Sequence, residues 1–229
     1  MGYISGSPQT LVGDWCEHEV GHRAMHHGWH VLHTSEIGTG ATMVEGRDGK
    51  VVMPDLQLFD LINGRKSRLV QVKAKRGAYR YMKLQIDCTG MDWPDWEACC
   101  RINESGVPVD LALVHLYWPL RSSPEMAPKL LRQTVDVLRE REPMRFEDRA
   151  FPHGGVVWDV NAFDVLGDMP NPPAHIIAAV QALGARLRIW EKPPSLRRPR
   201  QRPAQYDLFA WNGGGVGDGD AVREDSHAV

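Results

Sequence analysis

The sequence lacks any long apolar run. No window approaches the roughly 18 apolar residues that a membrane-spanning helix needs. Residues 1–10 also lack the basic and then apolar pattern of a signal peptide. Hydrophobic residues make up 42% and charged residues 24% of the 229 residues, so neither wholesale disorder nor a coiled coil is expected. The sequence therefore predicts a soluble, intracellular globular protein with no membrane partner.

Cysteine is scarce, and the four cysteines have no metal-binding spacing. Cys16, Cys88, Cys99 and Cys100 contain no CxxC pair, which argues against a zinc ribbon and against a disulfide framework. An iron–sulfur cluster is a minor alternative, because such clusters use four thiolates at wider spacing. We expect buried thiols in a reducing compartment.

The formal charge of −2 hides a strong segregation along the chain. Residues 65–83 carry eight cations, whereas the last eighteen residues are acidic. The composition changes abruptly at residue 191, where a Pro/Arg linker leads into a Gly-rich end. We therefore expect one domain over residues 1–190 and a flexible, disordered tail over residues 191–229.

Apolar periodicity and turn signals predict a mixed α/β domain. We expect the order helix, strand, strand, strand, helix, strand, which indicates a mixed sheet flanked by helices, followed by an insertion over residues 119–150. The predicted helices cover residues 13–27, 92–106, 129–141 and 174–190. The predicted strands cover residues 29–34, 51–62, 68–75, 107–118 and 155–160.

Polar side chains line one face of the second and third predicted strands. Side chains alternate between the faces of a strand, so Gln71, Lys73 and Lys75 share one face. Asp55 lies on the preceding strand and shares this face only if the two residue numbers of each cross-strand pair sum to an even value. Such a register requires a loop with an odd number of residues between the two strands. The sequence thus predicts a hairpin with a carboxylate, amides and ammonium groups on one side.

This combination suits metal-assisted phosphodiester hydrolysis. Asp55 is expected to anchor Mg²⁺, and the amide oxygen of Gln71 and the carbonyl of Val72 to complete the protein's share of ligands. Lys73 is expected to orient the attacking water and to stabilise the charge that develops on the phosphate.

Glu17 is a further candidate ligand from the first predicted helix. It lies on the helix face that we expect to pack on the sheet, together with small residues. A carboxylate there needs a partner, and a metal ion supplies one. The alternative is a salt bridge at the edge of the packing. The small residues of this face are Val20, Gly21, Ala24 and Gly28.

These residues together resemble the signature of the PD-(D/E)xK nuclease superfamily. The resemblance rests on Pro54-Asp55, a spacing of sixteen residues, and Gln71-Val72-Lys73. Members related to archaeal Holliday-junction resolvases also begin with a helix that resembles this one, at Gly13, Glu17 and Gly28-Trp29.

The resemblance implies a restriction-endonuclease-like fold that acts on DNA with Mg²⁺ or Mn²⁺. It covers about residues 11–118 and departs at Gln71, where the family usually has an acid. A neutral amide brings one negative charge fewer, so weaker metal binding is expected. A noncatalytic DNA-binding or adaptor protein on a nuclease fold remains an open alternative.

The same helix contains a literal HExxH motif, His18-Glu19-Val20-Gly21-His22, which is typical of zinc metalloproteases. Glu19, His22 and Arg23 fall on the polar helix face away from Glu17, so a zinc ion there would lie in solvent. A zinc hydrolase is the third candidate function, and an exposed histidine-rich face is the simpler interpretation.

A basic stripe beside the candidate site predicts contacts with DNA phosphates rather than sequence readout. The alternative is a solvated edge strand that lysines protect against aggregation. The residues expected to bind DNA are Lys75, Arg76, Arg80 and Lys83, within a set that also includes Arg65, Lys66 and Arg68.

The tail carries a short motif, Gln205-Tyr206-Asp207-Leu208-Phe209, which resembles the bacterial sliding-clamp-binding pentapeptide. The resemblance implies that Gln205, Leu208 and Phe209 occupy pockets of the clamp, so that tethering raises the local concentration on DNA. The alternative is that Leu208 and Phe209 pack back onto the domain.

We therefore expect an Mg²⁺-dependent deoxyribonuclease, recruited by a sliding clamp to replicating or repaired DNA in the bacterial cytoplasm. Arginine outnumbers lysine by 20 to 7, which hints at a GC-rich genome, that of a phage or its host. Endonuclease and exonuclease action, the preferred DNA structure, and a monomer or homodimer all stay open.

Overall fold

A computed structural model describes residues 6–34, 43–46, 49–62, 64, 67–82, 84–141, 143–148 and 151–187. The predicted tail, with its clamp-binding motif, lies outside these residues. So do Lys83, Arg65 and Lys66, and the last three residues of the final predicted helix.

Helices occupy four stretches of the described chain. The first begins five residues before its predicted start, because Ser7 Oγ accepts a hydrogen bond from the Thr10 amide at 3.2 Å and Pro8 suits the first turn. It ends before Gly28, whose φ of +80° favours glycine. The helices are α1 (Pro8–His26), α2 (Trp93–Glu104), α3 (Val135–Glu140) and α4 (Ala174–Leu187).

Twelve strands form three sheets in the described residues. They are β1 (His30–His33), β2 (Met43–Gly46), β3 (Gly49–Val52), β4 (Leu56–Phe59), β5 (Arg68–Lys75), β6 (Tyr79–Tyr81), β7 (Ile86–Asp92), β8 (Val109–His115), β9 (Lys129–Thr134), β10 (Met144–Asp148), β11 (Phe151–Asp159) and β12 (Asp164–Asp168). A six-stranded mixed sheet has the order β1-β4-β5-β8-β9-β12, and only its β5–β8 pair is parallel. A four-stranded antiparallel sheet has the order β10-β11-β7-β6, and β2 and β3 form a separate ribbon.

The six-stranded sheet is covered on both faces, which gives the domain two hydrophobic clusters. On one face α1 and α4 pack against apolar side chains that include Leu56, Val70 and Val72. On the other face α2, α3 and the four-stranded sheet pack against side chains that include Leu69 and Leu111. The expected mixed sheet flanked by helices is therefore present, together with a second sheet that the sequence did not indicate.

Three sequence-based assignments were wrong. Residues 51–62 are not one strand, because the chain leaves the β2–β3 ribbon before Pro54 and enters the six-stranded sheet after Asp55. Residues 129–141 are not one helix, since β9 precedes α3. Residues 119–150 are not an insertion, because β9 pairs with β8 inside the six-stranded sheet.

The register of the β4–β5 hairpin matches its prediction. Leu56 pairs with Val70 and Leu58 with Arg68, so paired numbers sum to an even value. This register continues to place Asp55 opposite Gln71, on the face of the sheet that packs against α2.

Candidate active site

Asp55 immediately precedes β4, at the point where this strand begins to pair with β5. Thr34, at the end of β1, fixes the backbone there from the other side. Its amide donates to the Asp55 carbonyl at 2.9 Å, and its hydroxyl donates to the Pro54 carbonyl at 2.7 Å. The position of Asp55 is therefore set by two strands.

The Asp55 carboxylate receives hydrogen bonds on one oxygen. Oδ2 accepts from the Val72 amide at 2.7 Å and from the Gln71 side-chain amide. Burial raises the pKa of Asp55 to about 6, although the charge of Lys73 and the bond from Val72 act in the opposite direction. In the described part of the chain Oδ1 accepts no hydrogen bond, which leaves this oxygen available to a ligand.

Glu17 comes from α1, on the helix surface that approaches Asp55. Burial raises the pKa of Glu17 to about 7, and the charges of Asp55 and Asp14 raise it further, against the opposing charge of Lys73. The Glu17 carboxylate forms no hydrogen bond or ion pair among the described residues. The charges of Asp55 and Lys73 nevertheless act on the ionisation of Glu17.

Lys73 points to the same face and forms an ion pair that the sequence did not indicate. Its Nζ lies 2.7 Å from Oδ2 of Asp95, in the first turn of α2. Burial opposes the charged form of Lys73, but the charges of Asp95 and Asp55 outweigh it and raise the pKa of the ammonium. The acidic Asp-Trp-Pro-Asp run at the start of α2 was the available signal for this contact.

Lys75 differs sharply from Lys73, although the two residues share a strand and a face. Burial lowers the pKa of Lys75 to about 8, and the nearby positive charge of Lys73 adds to the effect. Among the described residues the ammonium group of Lys75 forms no hydrogen bond or ion pair. Its partner in the register is His115 on β8, whose Nε2 lies 2.9 Å from Thr89 Oγ1 and whose pKa burial lowers to about 3.

The arginines of the basic stripe that the structure describes form contacts within the fold. Arg80 pairs with Asp87 at 3.1 Å, and the guanidinium of Arg76 lies 5.6 Å from the centre of the Tyr117 ring. Arg68 pairs with the buried Asp110. These contacts give Arg68 and Arg80 partners within the fold, and DNA binding by Arg80 stays a prediction. Lys75 and Arg76 remain candidates for phosphate contacts.

The HExxH motif does not form a metal site in the described residues. His18 and His22 are exposed on α1 with ring centroids 6.3 Å apart. Arg23 is not on a solvent face as expected, because it donates to the carbonyls of Leu166 and Asp168 at 2.7 and 3.0 Å. Arg23, which directly follows the motif, thus attaches α1 to β12.

The cysteines are free, as their spacing predicts. Cys16, Cys88 and Cys99 are buried, whereas Cys100 is only partly buried. Burial raises the pKa of Cys88 and of Cys100 to about 11, so both thiols are protonated at neutral pH.

The donor set suits one hard divalent cation held by few protein ligands. Within the described ranges no three His, Cys, Asp or Glu side chains are close enough to enclose a metal ion. Glu17 and Asp55 are nevertheless both partly buried carboxylates, and the charge of Asp55 acts on Glu17. With Lys73 and Asp95 the four groups carry two net negative charges when all are ionised. Mg²⁺ commonly binds through one or two carboxylates and keeps several waters, so the residues fit such an ion.

Comparison of the chain with protein-family models, with curated proteins and with solved structures found no match. None of the helices in the described ranges is long and apolar enough to cross a membrane.

Replacing Glu17 with glutamine should stabilise the metal-free protein above pH 7. The raised pKa of Glu17, about 7 against an ordinary 4.5, means that the folded state binds the proton more tightly, so ionisation of Glu17 opposes folding as the pH rises. After allowance for solvent screening, we expect a gain of about 1–2 kcal/mol at pH 8 and none at pH 4. Urea unfolding in EDTA at both pH values measures it.

Glu19→Gln on the same helix is the matched control for the removal of one negative charge from α1. A Glu17→Gln variant that is equally stable or less stable than wild type at pH 8 would contradict the burial and charge environment described for Glu17.

Proposed function

We propose that this chain is a metal-dependent deoxyribonuclease of the PD-(D/E)xK superfamily, with a restriction-endonuclease-like fold. The observation that carries the proposal is the hydrogen bonding of Asp55 Oδ2 to the Val72 amide and the Gln71 side chain, with Lys73 on the same face of β5. The charges of Asp55 and Lys73 also act on the ionisation of Glu17 on α1. Two carboxylates and an ammonium group are the parts that metal-assisted phosphodiester hydrolysis needs.

The topology around these groups supports the assignment to this superfamily. An antiparallel hairpin, β4–β5, carries Asp55 and Lys73, and α2 then crosses over to β8, which lies parallel to β5. Helix α1 covers the opposite face of the same sheet and supplies Glu17. This arrangement is a mixed sheet with flanking helices, as the resemblance of the motifs implies.

Glu17 and Asp55 would hold the divalent cation, with the Val72 carbonyl and the Gln71 amide oxygen as further ligands. Gln71 donates its NH₂ group to Asp55, so its oxygen becomes a ligand only after the amide turns over. When bound, the cation supplies Lewis-acid polarisation of the phosphodiester and a more acidic water.

The protein groups around the cation have separate tasks. Asp55 is held by hydrogen bonds from Gln71 and Val72, so its free oxygen faces a fixed direction. Lys73 donates to the attacking water and to a phosphate oxygen, which stabilises the negative charge of the transition state. Glu17 is ionised over part of the neutral range in the metal-free protein, because its pKa lies near 7, and the ionised carboxylate is the form that would bind the cation.

The test of this function is an assay of the full chain on labelled single-stranded, duplex, flap and four-way DNA with Mg²⁺ or Mn²⁺. The proposal predicts cleavage of at least one substrate, and the set of products assigns endonuclease or exonuclease action. Binding without cleavage on every substrate would favour the noncatalytic adaptor, which Gln71 suggests. Stoichiometric zinc that is lost in His22→Ala would favour the zinc hydrolase.

We also propose that the tail recruits the protein to a bacterial sliding clamp. The support is the sequence Gln205-Tyr206-Asp207-Leu208-Phe209, which follows a Pro/Arg linker long enough to act as a tether. A clamp-bound tail would raise the local concentration of the domain on DNA and offset weak binding by the domain itself.

Replacing both Leu208 and Phe209 with alanine should weaken clamp binding by about 30-fold or more, since buried anchor side chains of this kind contribute about 2 kcal/mol or more. Co-elution with a purified bacterial clamp and titration calorimetry measure the loss. Tyr206→Ala is the matched control, because the motif leaves this position open, and it should bind like wild type. Unchanged binding of the double variant would contradict the recruitment role.

A further inference from the structure

Lys73 obtains its acidic partner from a different element of the fold. In the part of the chain that the structure describes, Asp95 on α2 is the only residue that forms an ion pair with Lys73, at 2.7 Å. Gln71, the neighbour of Lys73 on the same strand and face, is a neutral amide that donates its hydrogen bond to Asp55. The strand itself therefore supplies no acidic partner to Lys73.

Asp95 is attached to a well-anchored part of the domain. It lies in the first turn of α2, next to Trp96, which is 3% exposed. The Trp96 ring meets the edge of Trp158 from β11, with centroids 4.8 Å apart. The lysine stem, in contrast, has four rotatable carbons and no fixed direction of its own. An ion pair between the two transfers the rigidity of the helix to the ammonium group.

We infer that Asp95 is a positioning residue, which holds the Lys73 ammonium beside Asp55 and directs it at the reacting phosphodiester. This inference rests on the proposed nuclease function. The ammonium has three N–H groups. One is donated to Asp95, which leaves two for the attacking water and a phosphate oxygen. Asp95 thus acts through Lys73 and touches neither substrate nor cation.

Asp95→Asn isolates the charge of this contact, because asparagine keeps the shape and one acceptor oxygen. We expect kcat for DNA cleavage to fall about 10- to 100-fold, the size of effect that misplacement of a catalytic group produces. KM for DNA should stay within about twofold, because an interaction that acts in the transition state changes kcat rather than ground-state binding. Asp95→Glu restores the charge and should recover part of the lost rate.

A double-mutant cycle of Asp95→Asn and Lys73→Met separates a positioning role of Asp95 from a general effect of its substitution on the fold. If Asp95 acts through Lys73, Asp95→Asn should cause no further loss in the Lys73→Met background under single-turnover conditions. Glu104→Gln is the matched control, because Glu104 lies on the same helix and forms a 2.8 Å ion pair with Arg139 on the surface. It should cleave DNA like wild type.

The outcomes are distinct. Wild-type kcat in Asp95→Asn, an equal loss with and without Lys73, or no recovery in Asp95→Glu would overturn the positioning role while the nuclease function stands. A wild-type protein that cleaves none of the DNA substrates would overturn both. A loss confined to kcat, partly recovered by Asp95→Glu and absent without Lys73, is the result that the contact predicts.

Discussion

Asp55→Asn is expected to abolish DNA cleavage, with a loss on the order of 10³-fold or more in kcat. Asparagine can keep the two hydrogen bonds from Gln71 and Val72 through its carbonyl oxygen. Its NH₂ group then replaces Oδ1, the oxygen that we assign to the cation, and the negative charge is lost. The substitution therefore removes the ligand and leaves the local structure in place.

Stability provides an independent readout for this variant. Because burial raises the pKa of Asp55 to about 6, its ionised form opposes folding at pH 8, and the neutral amide should fold at least as stably as wild type there. Asp164→Asn, an exposed carboxylate on the edge strand β12, is the matched control and should retain activity. Wild-type cleavage by purified Asp55→Asn would place the activity elsewhere.

Asp110→Ala is expected to cause a large loss of stability in the sheet that carries the candidate site. Asp110 on β8 is 1% exposed and binds two arginines, Arg68 on β5 at 3.1 Å and Arg132 on β9 at 3.0 Å. Asp110→Ala leaves two partly buried guanidinium groups without this anion. We expect the free energy of unfolding to fall by about 3–5 kcal/mol, as is typical when one partner of a buried ion pair is removed. Urea unfolding measures the change.

The control for Asp110→Ala is a substitution in an ion pair at the surface of the same sheet. Lys129 contacts Asp168, whose side chain is 79% exposed, so Asp168→Ala should cost less than about 1 kcal/mol. Equal effects of the two substitutions would contradict the placement of Asp110 between β5 and β9, and with it the central strand order.

The sequence predicted the hairpin of the site well because its pattern is local. Residues 68–75 form β5 as expected, and the alternation of side chains predicted an even sum of paired residue numbers, which the pairing of Leu56 with Val70 confirms. The start of α2 was also predictable, since Pro94 suits a first helical turn. These signals depend on neighbours along the chain.

Other elements could not be predicted because both faces of a strand are buried. In β9 the adjacent Leu130 and Leu131 point into opposite hydrophobic clusters, so no alternation of apolar and polar residues marks a strand. Two adjacent apolar residues followed by polar ones, as in this strand, are equally compatible with a helix. The same ambiguity concealed β7, where Cys88 to Met91 are all buried.

The sequence contained the least information about which charged side chains pair with one another. Residues 65–83 read as a free basic stripe, yet Arg68 and Arg80 pair with Asp110 and Asp87. Lys73 likewise meets Asp95 across a strand–helix contact. Such pairs join distant elements or turn-connected strands, and no local spacing distinguishes a paired cation from one that is available to DNA.

The dependence of DNA cleavage on a divalent cation is the most direct test of the proposed metal site at Glu17 and Asp55. The wild-type chain is assayed on labelled DNA at pH 8 across a titration of Mg²⁺ and Mn²⁺, with an EDTA reaction beside it. We expect saturable activation by the metal and no cleavage in EDTA. Cleavage that persists in EDTA, or no cleavage at any metal concentration, would contradict a cation-dependent site formed by Glu17 and Asp55.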